Sequence, residues 1–268
     1  MHPFDTAIAL KPTSDNCFHG ATTPAYANMV GPFGGTTGAA LLNAALLHPA
    51  RLGHPIALTV NFASALADGG FEIEARAVRT NRSTQHWVIE LVQGGAVAAT
   101  ATAVFAERRE TWSAPEAVAP KDLPRPEALP RANLIGRPAW VARYDMRFVD
   151  GGMPEAFDGQ ERPDSKSCLW VRDEPPRRLD FASLAAICDS FFPRIFIRRR
   201  KAAPIGTVSL TTYFHADDAM LAAQADRSVL GTARALNFRN GYFDQSAEIW
   251  NDAGQLLAST HQIVYFRE

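Results

Sequence analysis

Three side chains in the second half of the 268-residue chain could together order one water for attack on a carbonyl: Asp189, Thr207 and Gln262. A carboxylate can take the proton of that water while a hydroxyl and a primary amide hold its orientation. That is the chemistry of hydrolysis without a covalent intermediate. Asp189 follows Ala182, Ala185 and Ala186 and precedes Phe192 at spacings of three and four, so it projects from an apolar helical stripe near the helix end. A carboxylate there opposes the helix dipole by about 0.3 to 1 kcal/mol and is desolvated as well, so stability alone does not select it. Gln262 interrupts "LLASTHQIVYF", an apolar strand in which an amide must find partners or face water. Thr207, alone, is an ordinary strand residue.

The elements that would carry these residues occur twice. "GGTTGAALLNAALLHP" reads as one buried helix with Pro49 at its end, followed by "IALTVNFAS", "GFEIEARAVRT", "TQHWVIELVQ" and "AVAATATAVFAE" as strands, with "QGGA" as a hairpin turn between the last two. Further on, "LDFASLAAICDSFFP" reads as a helix with Asp180 as N-cap. It is followed by the strands "TVSLTTYFH", "SVLGTARALNF", "GYFDQSAEIW" and "QLLASTHQIVYF". Each half opens with a candidate strand, "AYANMV" and "WVARYDMRFV". The spacing predicts two α+β units with antiparallel sheets. A Pro-rich stretch between Arg108 and Pro138 reads as a linker, giving an N-terminal unit over 1–107, a linker over 108–138 and a C-terminal unit over 139–268.

The halves align residue by residue through "LTVNF" and "LTTYF", through Pro49 and Pro193, and through the last strands. Ala45 then stands opposite Asp189, Pro55 opposite Thr207 and Ala103 opposite Gln262. All three polar residues belong to the second unit, so the fold tolerates apolar side chains at these positions and their polarity calls for a reason other than structure.

Composition excludes several functions. A formal net charge of −1 with no basic stripe is not that of a nucleic-acid binder, and no stretch approaches the ~20 apolar residues of a membrane span. Without a signal-like N-terminus, a cytoplasmic location is expected. Cys17, Cys168 and Cys188 are far apart and odd in number, so they read as reduced core thiols rather than as disulfides or zinc ligands.

The segments "GPFGGTTGAALL", "LTVNF", "LWVRD", "CDSFFP", "TVSLTTYFH" and "LLASTHQ" make the chain similar, over nearly its whole length, to the acyl-CoA thioesterase II family of double-hotdog thioesterases. The resemblance implies a long helix wrapped by an antiparallel sheet in each half, with the sheets continuous across the pair. It also implies an Asp, Thr and Gln site, which falls on Asp189, Thr207 and Gln262. The implied reaction is hydrolysis of an acyl-CoA to acid and thiol without metal or cofactor, with Asp189 as general base and a backbone N–H stabilising the oxyanion. One departure is "RIFIRRRKAAP", whose length and charge match no family feature.

Other residues admit two readings. Arg198 and Arg199, in the connection after the helix, could hold coenzyme A phosphates or form a solvated loop. Gly34 and Gly35 could offer backbone N–H groups to a thioester oxygen or only permit close packing. Trp170 could wall the acyl pocket or fill core. Cys188 as a nucleophile is disfavoured, because adjacent helical residues point about 100° apart. Two other functions are weighed: a hotdog enoyl-CoA hydratase, for which no Asp and His pair is seen, and a non-catalytic acyl-CoA or lipid-binding module. Exposed sheet edges would favour pairing into a homodimer or larger homo-oligomer.

Overall fold

The computed structural model describes residues 1–267. The first half contains α1 (Pro3–Ala7), β1 (Lys11–Pro12), β2 (Cys17–Ala21), α2 (Gly34–Leu47), β3 (His54–Phe62), β4 (Gly70–Thr80), β5 (Thr84–Gln93) and β6 (Ala96–Ala106). The second contains β7 (Tyr144–Asp150), β8 (Ser167–Asp173), α3 (Phe181–Ile187), α4 (Arg194–Arg199), β9 (Ile205–Phe214), α5 (Asp218–Gln224), β10 (Val229–Arg234), β11 (Phe238–Arg239), β12 (Tyr242–Trp250) and β13 (Leu256–Phe266).

All thirteen strands form one antiparallel sheet in the order β1-β2-β4-β5-β6-β3-β9-β13-β12-β10-β8-β7, with β11 beside β12. The halves join where β3 meets β9. There Thr59 lies opposite Thr211, Leu58 opposite Thr212 and Val60 opposite Leu210, the register of a pseudo-twofold axis through the two threonines. Their hydroxyls are 3.0 Å apart. This is the double-hotdog arrangement, with the helices α2 and α3 packed together inside the curved sheet.

The register also supports the alignment of the halves. Ala103 pairs with Leu58 as Gln262 pairs with Leu210, and Pro55 pairs with Phe105 as Thr207 pairs with Val264. Both ladders skip one residue at the same place, Ile56 in β3 and Val208 in β9. Such a bulge reverses the alternation of side chains. In β9 it puts Val208 outside and returns Thr207 to the inner face shared by Leu210 and Thr212.

α2 is helical because Ala and Leu dominate it, and Ala39 to Leu42 are buried all round, as expected of a helix enclosed by a sheet. α3 differs from the expected helix over 179–193. It starts as expected, with Asp180 capping Ser183 N–H, but it ends at Ile187. Cys188 and Asp189 form a tight turn, in which Asp189 N–H donates to Ala186 O and the Ser190 hydroxyl competes for Ile187 O at 2.7 Å. The chain then restarts as α4 behind Pro193.

Two further expectations change. "AYANMV" is no strand, because Pro24 starts a 3-10 turn over Pro24–Tyr26, and the strand preceding α2 is β2. α5, capped by Asp217, has no counterpart in the expected pattern.

Candidate active site

Asp189, Thr207 and Gln262 come together. The turn after α3 carries Asp189 to β13, where Gln262 Nε2 donates to its Oδ1 at 2.8 Å. Thr207 Oγ1 in turn donates to Gln262 Oε1 at 3.4 Å. Thr207 thereby fixes which end of the amide faces the carboxylate. Gln262 is buried, so its partners resolve the conflict between a polar group and an apolar strand.

The carboxylate has a third neighbour from the other half of the molecule. α2 points its N-terminus at Asp189, and the Gly35 N–H donates to the carboxylate. A Cβ at Gly34 would stand 2.8 Å from Asp189 Oδ2, and one at Gly35 would stand 2.6 Å from Ala186 O. The two glycines therefore let the first turn of α2 approach the last turn of α3, and a helix N-terminus is a favourable place for negative charge. The dipole penalty at the end of α3 is thus met by the dipole of a longer helix.

Burial nevertheless dominates and pushes the Asp189 pKa up to about 7, against the lowering by Gln262 and Gly35. A carboxyl with that pKa is half ionised near neutrality, where a general base works best. The adjacent Cys188 thiol is buried and pushed up to about 12, which is not the state of a nucleophile.

The remaining expected residues lie elsewhere or act differently. Trp170 does not wall the space between helix and sheet. Strand alternation sends Leu169 and Val171 inward and Trp170 to the outer face, where it packs on Leu230, Trp250 and the linker residues Leu123 and Leu129. Its indole N–H donates to Pro124 O at 2.9 Å. Arg198 and Arg199 are in α4 rather than a loop, and both guanidinium groups bind Glu161, at 2.9 and 2.7 Å. His261, next to Gln262, faces outward and lies 3.3 Å from Asp244.

A small cavity of about 20 Å³ adjoins the first turns of α2, lined by Tyr26, Thr36, Thr37, Leu66, Phe71 and Leu91. A larger one of about 470 Å³ opens at the opposite ends of the helices, between Leu46 and Leu47 of α2 and Phe181 and Ala182 of α3. It is removed from the Asp189 cluster and occupies the pseudo-twofold counterpart of its position. Among the described residues, no group of three or more His, Cys, Asp or Glu side chains is arranged as a metal site.

Sequence reasoning missed the contribution of α2 to Asp189. Its trace in the sequence is the pair Gly34-Gly35 at a helix start, where glycine is otherwise unfavourable.

Family profiles match both halves: the acyl-CoA thioesterase N-terminal domain over residues 23–106 and the acyl-CoA thioesterase C-terminal domain over residues 115–266. Among solved structures, a conserved hot-dog-fold protein of unknown function from Alicyclobacillus acidocaldarius is 47% identical, with a TM-score of 0.95, covering 100% of this chain and 99% of its own. The tesB protein of Mycobacterium avium subsp. paratuberculosis is 17% identical with a TM-score of 0.79, over 99% and 98% of the two chains. An acyl-CoA thioesterase II from Mycobacterium marinum is 17% identical with a TM-score of 0.77, over 98% of each chain. At such identities these last two share the fold. No curated protein matches the chain.

Proposed function

The chain belongs to the acyl-CoA thioesterase family, and on that premise we propose that it hydrolyses an acyl-CoA thioester with Asp189, Thr207 and Gln262 as its catalytic set. The observation that carries this reading is the Asp189 carboxylate held between the Gln262 amide and the N-terminus of α2, with burial raising its pKa to about 7. The same three positions in the other half are Ala45, Pro55 and Ala103, which can do no proton chemistry.

In this reading Asp189 accepts a proton from a water as the water's oxygen attacks the thioester carbon. Gln262 keeps the carboxylate in place, and Thr207 keeps the Gln262 amide in the orientation that donates to it. The oxyanion formed needs a donor aimed at it; with the Gly35 N–H given to Asp189 and those of Thr36 and Thr37 given to Phe33 O, the Gly34 N–H at the start of α2 is the fitting donor. Collapse of the tetrahedral intermediate expels the thiolate and leaves the acid. Within this scheme 1–107 serves as a supporting unit and 139–268 as the unit bearing the catalytic set. Arg198 and Arg199 would reach coenzyme A phosphates only by exchanging Glu161 for them.

The test is release of free thiol from short, medium, long and aromatic acyl-CoAs, with Asp189→Asn in parallel. Release by the parent and loss in the variant supports the reading. Tight binding of acyl-CoA without release would replace it with a non-catalytic binding module.

A further inference from the structure

Arg194, the first residue of α4, is fully buried at 0% exposure. Its guanidinium makes its bonds to neutral acceptors: Nε to Phe192 O at 3.1 Å and to Gln245 Oε1 at 2.9 Å, Nη1 to Ser165 O at 2.8 Å and to Ser167 Oγ at 2.7 Å, and Nη2 again to Phe192 O. None of these partners is a carboxylate. Burial lowers its pKa to about 9, so it remains a cation at neutral pH. A buried charge without a counter-ion is a poor choice for stability, since an apolar side chain of similar size fills the same space without the desolvation. What arginine supplies is a rigid fork of donors that can hold several acceptors at once.

The acceptors it holds flank the catalytic set on both sides. Phe192 O is the carbonyl three residues beyond Asp189, in the connection between α3 and α4 that no regular structure supports. Gln245 lies directly opposite Gln262 in the pairing of β12 with β13. Ser167, in β8, passes the link on by donating to Gly151 O at 2.5 Å. One side chain therefore ties the segment carrying Asp189 to the strand pair carrying Gln262, and so spans the 2.8 Å hydrogen bond between the two from behind.

We propose that Arg194 is a positioning residue for the reaction, a buried clamp that sets the distance between Asp189 and Gln262 by holding Phe192 O and Gln245 in one body. Being fully buried, it acts through these two partners rather than at the reacting atoms. The inference rests on the catalytic set proposed above.

The test compares the parent with Arg194→Met and Gln245→Leu, reading kcat and KM separately, the pH profile of kcat/KM, and the titration of Asp189 by carbon-13 NMR of its carboxyl. With the clamp removed, kcat falls by about tenfold or more while KM stays within about twofold. The acid limb and the NMR midpoint move together to lower pH, because a loosened turn admits water to the carboxylate. A folded Arg194→Met with parental kcat and an unmoved limb overturns the proposal. If Arg194→Met does not fold, Gln245→Leu decides, since it removes only the strand side of the clamp; a parental profile there overturns it equally. If the parent releases no thiol, the thioesterase reading fails, and the NMR midpoint of Asp189 still decides whether Arg194 positions it.

Discussion

The two halves share one backbone plan and differ in what they place at three equivalent positions. Ala103 faces Leu58 as Gln262 faces the equivalent Leu210, and Pro55 and Thr207 sit beside equivalent bulges. In the first half these places are filled by methyl and ring carbons, and Ala45 and Ala103 are almost fully buried. In the second half they hold a mutually bonded acid, amide and hydroxyl. The helices differ too. α2 runs unbroken through the position of Ala45, whereas α3 stops before Asp189 and releases it into a turn. The first half contributes to the cluster by its helix N-terminus instead, so one half supplies the carboxylate and the other supplies the dipole that faces it.

Asp189→Ala would break this difference most severely. Thiol release should fall by about 100-fold to 10,000-fold, the range expected for loss of a general base, with the protein still folded by circular dichroism. Asp189→Asn separates charge from shape. Because the native pKa lies above the unfolded one, the native state binds this proton more tightly. The group's contribution to stability therefore falls as pH rises from about 4 to about 7 and stays lost above that. The Asn variant lacks this loss, so its stability relative to the parent should grow by about 3 kcal/mol between pH 5 and pH 8, checked by denaturant melts at the two pH values. For the parent, kcat/KM should rise with pH through about 7, as Asp189 loses its proton.

Gln262→Ala gives the second half the residue of the first. Turnover should fall about 100-fold, and the acid limb should move above 7 because the carboxylate loses the donor that favours its charged form. Gly35→Ala tests the contribution of the first half. The added Cβ meets the Phe33 ring and Ala186 O, which should cost about 1 to 3 kcal/mol in a thermal melt and lower kcat about tenfold. Thr207→Val removes a long hydrogen bond and should cost only about fivefold in kcat, near 1 kcal/mol.

Much of this was legible in the sequence, because alternation and repetition are properties of the chain itself. The strands β4, β5, β6, β12 and β13 follow their apolar patterns almost to the residue, and "LTVNF" against "LTTYF" is the pair of strands that meets at the axis. The short α3 was not legible. At its break the Ser190 hydroxyl takes the Ile187 carbonyl, a local competition that an Ala-rich pattern conceals. Trp170 was ambiguous because alternation says that neighbouring residues face opposite ways without saying which face is inside; the linker packed over it decides that. The basic run looked like a solvated loop because its acidic partner, Glu161, is distant in the chain.

By itself the sequence determined that the chain is a tandem repeat of antiparallel units and that only one copy carries an acid, a hydroxyl and an amide at equivalent positions. Periodicity and residue type are local, and comparison of the halves needs no coordinates. Only the tertiary structure decided what state Asp189 is in. Its pKa follows from how much water the packing of α2 against α3 removes and from which donors the fold brings within reach, and these come from Gln262, 73 positions away in the chain, and from Gly35 in the other half.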